Sequence, residues 1–87
     1  MDLVSGVFAV EAYIFINSEP GALWEIAEAA LKIEGVKIAH AVTGQFDVIA
    51  YAEFATMDML RGIIEKFQSL KGVQRTQTAV AMPPRLK

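Results

Sequence analysis

The chain has no cysteine among its 87 residues. That excludes disulfides, thiolate metal sites and a cysteine nucleophile, and it makes a cytoplasmic location the default expectation. Histidine occurs once, as His40. One histidine and scattered acids do not make a metal-ligand set, and no serine or paired carboxylate stands at a catalytic spacing from it. No glycine-rich dinucleotide or phosphate-binding motif is present, so neither metal nor cofactor is expected. Long apolar runs are also missing. Glu11, Glu25, Glu28, Lys32 and Glu34 interrupt every candidate before the ~20 residues of a membrane span. Met1-Asp2-Leu3 has no basic segment or cleavage site and does not read as a signal peptide. Positive charge is sparse, with 8 Lys+Arg against 10 Asp+Glu and a net charge of −2. Nothing in that balance invites a phosphate backbone, and the tail Arg85-Leu86-Lys87 is too short for a nucleic-acid arm.

What is abundant is apolar surface, at 54% of residues. A chain of this length makes one domain, spanning residues 1–87, with a core over about 7–82 and a short tail over 83–87. So small a domain cannot hide that much apolar surface inside itself, so a subunit interface is expected.

Val7 to Ile16 is rich in β-branched and aromatic residues and reads as a strand. Asn17-Ser18-Glu19-Pro20-Gly21 is turn chemistry leading into a helix, capped by Ser18 or Glu19 with Pro20 in the first turn. Leu23, Ile26, Ala27, Ala30 and Leu31 recur at helical spacing as one apolar stripe, and Gly35 stops the segment. Two strands follow, Val36 to Val42 and Phe46 to Phe54, joined at Gly44-Gln45. Gly at the first loop position suits a type II′ turn, which needs φ > 0 there. Thr56 reads as the cap of a second helix with the stripe Leu60, Ile63, Ile64, Phe67 and Leu70. Gly62 within it suggests close packing. Gly72 ends this helix, and Val73 to Met82 is the last strand, stopped by Pro83-Pro84. Ile33-Glu34-Gly35-Val36 and Leu70-Lys71-Gly72-Val73 echo each other at the two helix-to-strand junctions. The order β-α-β-β-α-β is that of an α+β, ferredoxin-like domain: a four-stranded antiparallel sheet with two helices on one face.

The two-residue loop places Val42 opposite Asp47. Ala39, Ala41, Phe46, Val48, Ala50, Ala52 and Phe54 then share the helix-covered face, while Val36, Ile38, His40, Val42, Asp47, Ile49 and Tyr51 share the other. In the first strand Tyr13 and Phe15 oppose Ala12, Ile14 and Ile16. A solvated sheet face alternates to polar residues, and this one does not. The expectation is a two-fold dimer packed through Tyr13, Phe15, Ile38, His40, Ile49 and Tyr51. His40 is read there as structural, and Trp24 and the four methionines as packing.

The turn Val42-Thr43-Gly44-Gln45-Phe46-Asp47 carries the one local chemistry of note. Exposed turn amides and the Thr43 hydroxyl suit a small carboxylate, and Asp47 suits a small ammonium group, so the site fits a zwitterion; from the turn alone an ordinary hairpin with a polar shoulder is the favoured reading. Thr76 and Thr78 project to one side of the last strand and Arg75 and Gln77 to the other; paired hydroxyls line polar pockets and are also good strand formers.

Taken with the order of elements, Val-Thr-Gly-Gln-Phe-Asp at 42 to 47, the Gly-Val pairs before strands two and four, and Thr-x-Thr at 76 to 78, the chain resembles the ligand-binding (RAM) domain of the Lrp/AsnC regulators. The resemblance covers about Ala12 to Met82. It implies a dimeric α+β barrel with sheets face to face, and rings of four or five dimers, an octamer or decamer. It implies a free amino acid bound near the turn, its charged groups held by the backbone of Gly44, Gln45 and Phe46 and by Asp47, with Thr43, Thr76 and Thr78 adding hydroxyls. The family's N-terminal helix-turn-helix has no counterpart here, so direct DNA binding is not expected. A stand-alone sensor domain, co-assembling with full-length relatives, is the reading that follows. Two alternatives belong to other classes. A small dimeric α+β barrel enzyme has only His40, Tyr51 and Asp47 as polar candidates. An RNA-binding sheet meets a weak echo at Gly44-Gln45-Phe46-Asp47-Val48, with its basic residue missing.

Overall fold

The computed structural model describes residues 10–82. Six elements follow in chain order: β1 (Val10–Ser18), α1 (Leu23–Ala30), β2 (Val36–Ala41), β3 (Val48–Phe54), α2 (Met57–Gln68) and β4 (Val73–Val80). The strands form one antiparallel sheet in the order β2-β3-β1-β4, the ferredoxin-like arrangement expected from the sequence. The expected strand residues Val7 to Ala9, and Pro83-Pro84 with the tail, lie outside the described residues. No described helix is long and apolar enough to cross a membrane.

Alternation along the strands decides what is buried. Ala12, Ile14 and Ile16 of β1 and Val48, Ala50, Ala52 and Phe54 of β3 point into the helix layer. Small alanines on the central strands let the helices sit close, and α1 replies with Ala27 and Ala30 around Ile26. Leu60, Ile63 and Phe67 fill the rest from α2. Each fully covered Ile or Phe contributes roughly 1.5–3 kcal/mol of apolar burial.

The echo between the halves is structural. Val36 N–H donates to Ile33 O at 3.0 Å, and Val73 N–H to Leu70 O at 3.2 Å, so each junction is one tight turn with glycine at its third position. Gly72 has φ +93°, and a Cβ there would lie 2.6 Å from the Ala22 Cβ. Its carbonyl accepts from Glu19 N–H, as the Gly35 carbonyl accepts from Glu53 N–H, both at 2.8 Å. The two junctions therefore clip each helix end to the neighbouring half.

Several expectations are corrected. The first helix begins at Leu23, and the residue before it, Ala22, makes no side-chain cap bond. Neither Ser18 nor Glu19 caps it, because Ser18 remains in β1 and Glu19–Ala22 is a separate turn, closed by Ala22 N–H to Glu19 O at 3.1 Å. Leu31 is exposed, since the helix ends at Ala30 and Ile33 takes the core position. Val36 belongs to the core and not to the open face. An irregularity between Val36 and Ile38 pairs Val36 with the buried Ala52 and turns its side chain inward. Gly62 meets nothing within 4 Å of an added Cβ, so no close packing requires it. Thr56 does cap α2, its hydroxyl accepting from Met59 N–H at 3.3 Å.

Candidate ligand site at the β2–β3 turn and the open sheet face

The loop between β2 and β3 spans residues 42–47. Its register is the expected one, since Val42 N–H donates to Asp47 O at 2.9 Å. Gly44 has φ +113°, open to glycine without strain. The loop is wider than a closed two-residue turn. The N–H groups of Thr43, Gly44, Gln45 and Phe46 make no hydrogen bond to any described residue, and Thr43, Gly44 and Gln45 are exposed.

Three bonds lash this loop to the end of β1. Asp47 N–H donates to Ile16 O at 2.9 Å. Ser18 N–H donates to Asp47 Oδ2 at 2.8 Å. The Asn17 side-chain amide donates to Gln45 O at 2.8 Å. One carboxylate oxygen of Asp47 thus holds the fold, and the other has no bond to a described residue. Phe46 departs from its expected side. With β3 starting only at Val48 its alternation is lost, and its ring lies 5.1 Å from that of Phe15, on the open face.

Thr76 and Thr78 stand elsewhere in the protomer. They pair with Ile16 and Ile14, which places them on the helix side of β4, and Gln68 Nε2 donates to Thr76 Oγ1 at 3.4 Å. Within one protomer β1 runs between Thr76 and Asp47, with Ile16 paired to the first and accepting from the N–H of the second. Arg75, paired with Asn17, is on the turn-side end of the open face instead. In the sequence Asn17 and Ser18 read as turn residues and Arg75 only by its side of the strand, because the pairing of β1 with the loop and with β4 leaves no local pattern.

The open face is built in rows. Ile38, Tyr51, Tyr13 and Ala79 lie side by side across the four strands, and His40, Ile49, Phe15 and Gln77 form the next row. Tyr13 and Tyr51 rings are 5.3 Å apart. Tyr13, Ile38, His40, Ile49 and Tyr51 line a shallow concavity of about 290 Å³. All six residues expected at an interface therefore share one surface with no described helix over it. At its far end Glu11 and Glu53 face each other in register. The Tyr51 hydroxyl lies 2.8 Å from Glu53 Oε2 and 2.9 Å from Glu11 Oε2, and its one proton serves both. Burial, then these two hydrogen bonds, push the Tyr51 hydroxyl above the usual tyrosine range.

A four-stranded antiparallel sheet in the order β2-β3-β1-β4, backed by two helices on one face, is a ferredoxin-like α+β domain. The model of the Lrp/AsnC ligand binding domain matches residues 11–85, and the chain belongs to that family. It is 32% identical over 74 residues to an uncharacterised HTH-type transcriptional regulator of Pyrococcus furiosus, an alignment covering 80% of this chain and 49% of that protein. The chain spans about half the length of the curated relatives it matches. A solved protein from Pyrococcus horikoshii is 31% identical and superposes with a TM-score of 0.75 over 87% of this chain and 93% of that one. A transcriptional regulator from Neisseria meningitidis, solved in complex with L-Met, shares the fold with a TM-score of 0.79 at 21% identity, over 100% of this chain and 58% of its own.

Proposed function

We propose that this chain is a non-catalytic effector domain that binds a free amino acid at the 43–47 loop and couples that binding to assembly. The observation that carries this reading is the loop itself. Four consecutive backbone N–H groups without a described partner stand beside a carboxylate with one free oxygen, on a loop pinned to β1 by three hydrogen bonds. Donors of that kind take the α-carboxylate, and Asp47 takes the α-ammonium. Membership of the Lrp/AsnC family and the L-Met complex of the Neisseria meningitidis regulator point the same way. The open face pairs two copies into a dimer, and dimers join into an octamer or decamer in the cytoplasm, with Thr76 and Thr78 completing the site from a neighbouring copy. A ligand held between subunits stabilises the assembly by mass action, so effector and oligomer are linked.

Calorimetry with each of the twenty amino acids tests this. At least one is expected to bind, and Asp47→Asn to weaken it about tenfold or more, as loss of a charged hydrogen bond does. Asparagine keeps an oxygen for Ser18 N–H, so the loop stays in place. Unchanged affinity would remove the Asp47 charge from the site.

A further inference from the structure

Trp24 is the one tryptophan of the chain, and 67% of it is exposed. A packed domain ordinarily covers most of so large an apolar side chain. Here α1 turns Ile26, Ala27 and Ala30 to the sheet, which leaves Trp24 on the outer edge of its first turn. It faces a wall. Leu23 beside it, and Ala41, Val42 and Thr43 at the end of edge strand β2, line an open concavity of about 640 Å³ with it. None of the five side chains is charged. Thr43 belongs both to this concavity and to the 43–47 loop, so the two adjoin at that residue.

We infer that this concavity seats the side chain of the bound amino acid, that the ligand therefore carries a bulky apolar side chain, and that Trp24 is its specificity-determining residue. The inference rests on reading the 43–47 loop as the amino-acid site. A lysine or aspartate side chain would lose part of its water against walls that offer it one hydroxyl, that of Thr43, and no opposite charge. Glycine would leave Trp24 in water. A leucine or phenylalanine side chain removes apolar surface from water on both partners at once.

Because the chain has a single tryptophan, its emission reports on this concavity alone. Emission spectra and calorimetry are recorded on the full chain with leucine, phenylalanine, glycine, lysine and aspartate. Leucine or phenylalanine is expected to shift the emission to the blue and to bind about tenfold or more tightly than glycine. Trp24→Ala, at an exposed position, is expected to fold normally and lose most of that preference, keeping glycine affinity within about twofold; Trp24→Phe is expected to restore it. Tightest binding of glycine, lysine or aspartate, or a preference indifferent to Trp24→Ala, would overturn the inference and leave the loop as the site. No heat with any of the twenty amino acids would overturn both. A Trp24→Ala chain with unchanged affinities but a lower mass by light scattering would assign the concavity to a second copy of the chain.

Discussion

The carboxylate of Asp47 has two tasks, and they respond to different substitutions. Its Oδ2 accepts from Ser18 N–H, so Asp47→Ala leaves that amide without its partner and costs about 1 kcal/mol of stability besides any effect on a ligand. Asp47→Asn separates the tasks, which is why it is the informative variant. Tyr51 has a second consequence at this scale. Its hydroxyl is held above the ordinary value of 10.0 by burial and by the carboxylates of Glu53 and Glu11, so the folded state favours the protonated form. Its contribution is then complete below pH 10 and fades as the pH rises beyond that, toward the raised folded value; the neutral range is unaffected. Urea unfolding between about pH 8 and 12 is expected to show a steeper alkaline loss for the wild type than for Tyr51→Phe, which has no hydroxyl to titrate. Equal slopes would detach the hydroxyl from folding.

At the scale of elements, the glycines divide by what surrounds them. Gly62 lies inside α2 with open space at its missing Cβ, so Gly62→Ala is expected to raise stability by about 0.5–1 kcal/mol through a less flexible unfolded chain. Gly72→Ala is expected to do the reverse by more than 1 kcal/mol, since it meets both a positive φ and the Ala22 side chain at 2.6 Å. Chemical denaturation of the two variants settles the contrast, and a destabilised Gly62→Ala would mean a contact missed on that helix face. The same contrast shows what was legible in the sequence. The junction glycines, the Thr56 cap and the Val42–Asp47 register were legible, because a strand's period of two and a glycine in a turn act locally. The position of Val36 was not, because the irregularity after it lies at Lys37, with no glycine or proline to mark it. Phe46 was misplaced because alternation was carried through a loop that leaves the ladder before Val48. The role of Ser18, and the place of Thr76 and Thr78 across β1 from the loop, depend on how β1 meets β3 and β4, which only the assembled sheet decides.

At the scale of the whole molecule, the sheet has two apolar faces and, among the described residues, one layer of helices. The uncovered face presents Tyr13 and Ile38, each more than two-fifths exposed, beside Ile49, Phe15 and Tyr51, which is an unfavourable surface to leave in water. If a second copy covers it, Ile38 is the place to ask. Its side chain is 45% exposed in the protomer, so Ile38→Glu disturbs little of the folded chain, yet in a sheet-on-sheet dimer the new carboxylate would be buried without a partner. Such a charge costs about 3–5 kcal/mol. At 1.4 kcal/mol per tenfold one such charge alone weakens a dimer about a hundred- to several-thousand-fold, and a two-fold dimer carries two, enough to dissociate a micromolar sample. The same change at Met57, 55% exposed at the start of α2 in the helix layer, buries no charge against the open sheet face and is expected to leave the dimer intact. Light scattering after size exclusion, over a range of concentrations, reads all three chains. The expected result is a multiple of the 9.5 kDa chain for the wild type and for Met57→Glu, and the single-chain mass for Ile38→Glu. An Ile38→Glu chain that keeps the wild-type mass would move the interface off the open sheet face. A wild type that remains at one chain's mass throughout would leave no interface to regulate, and amino-acid binding at the loop would then act without assembly.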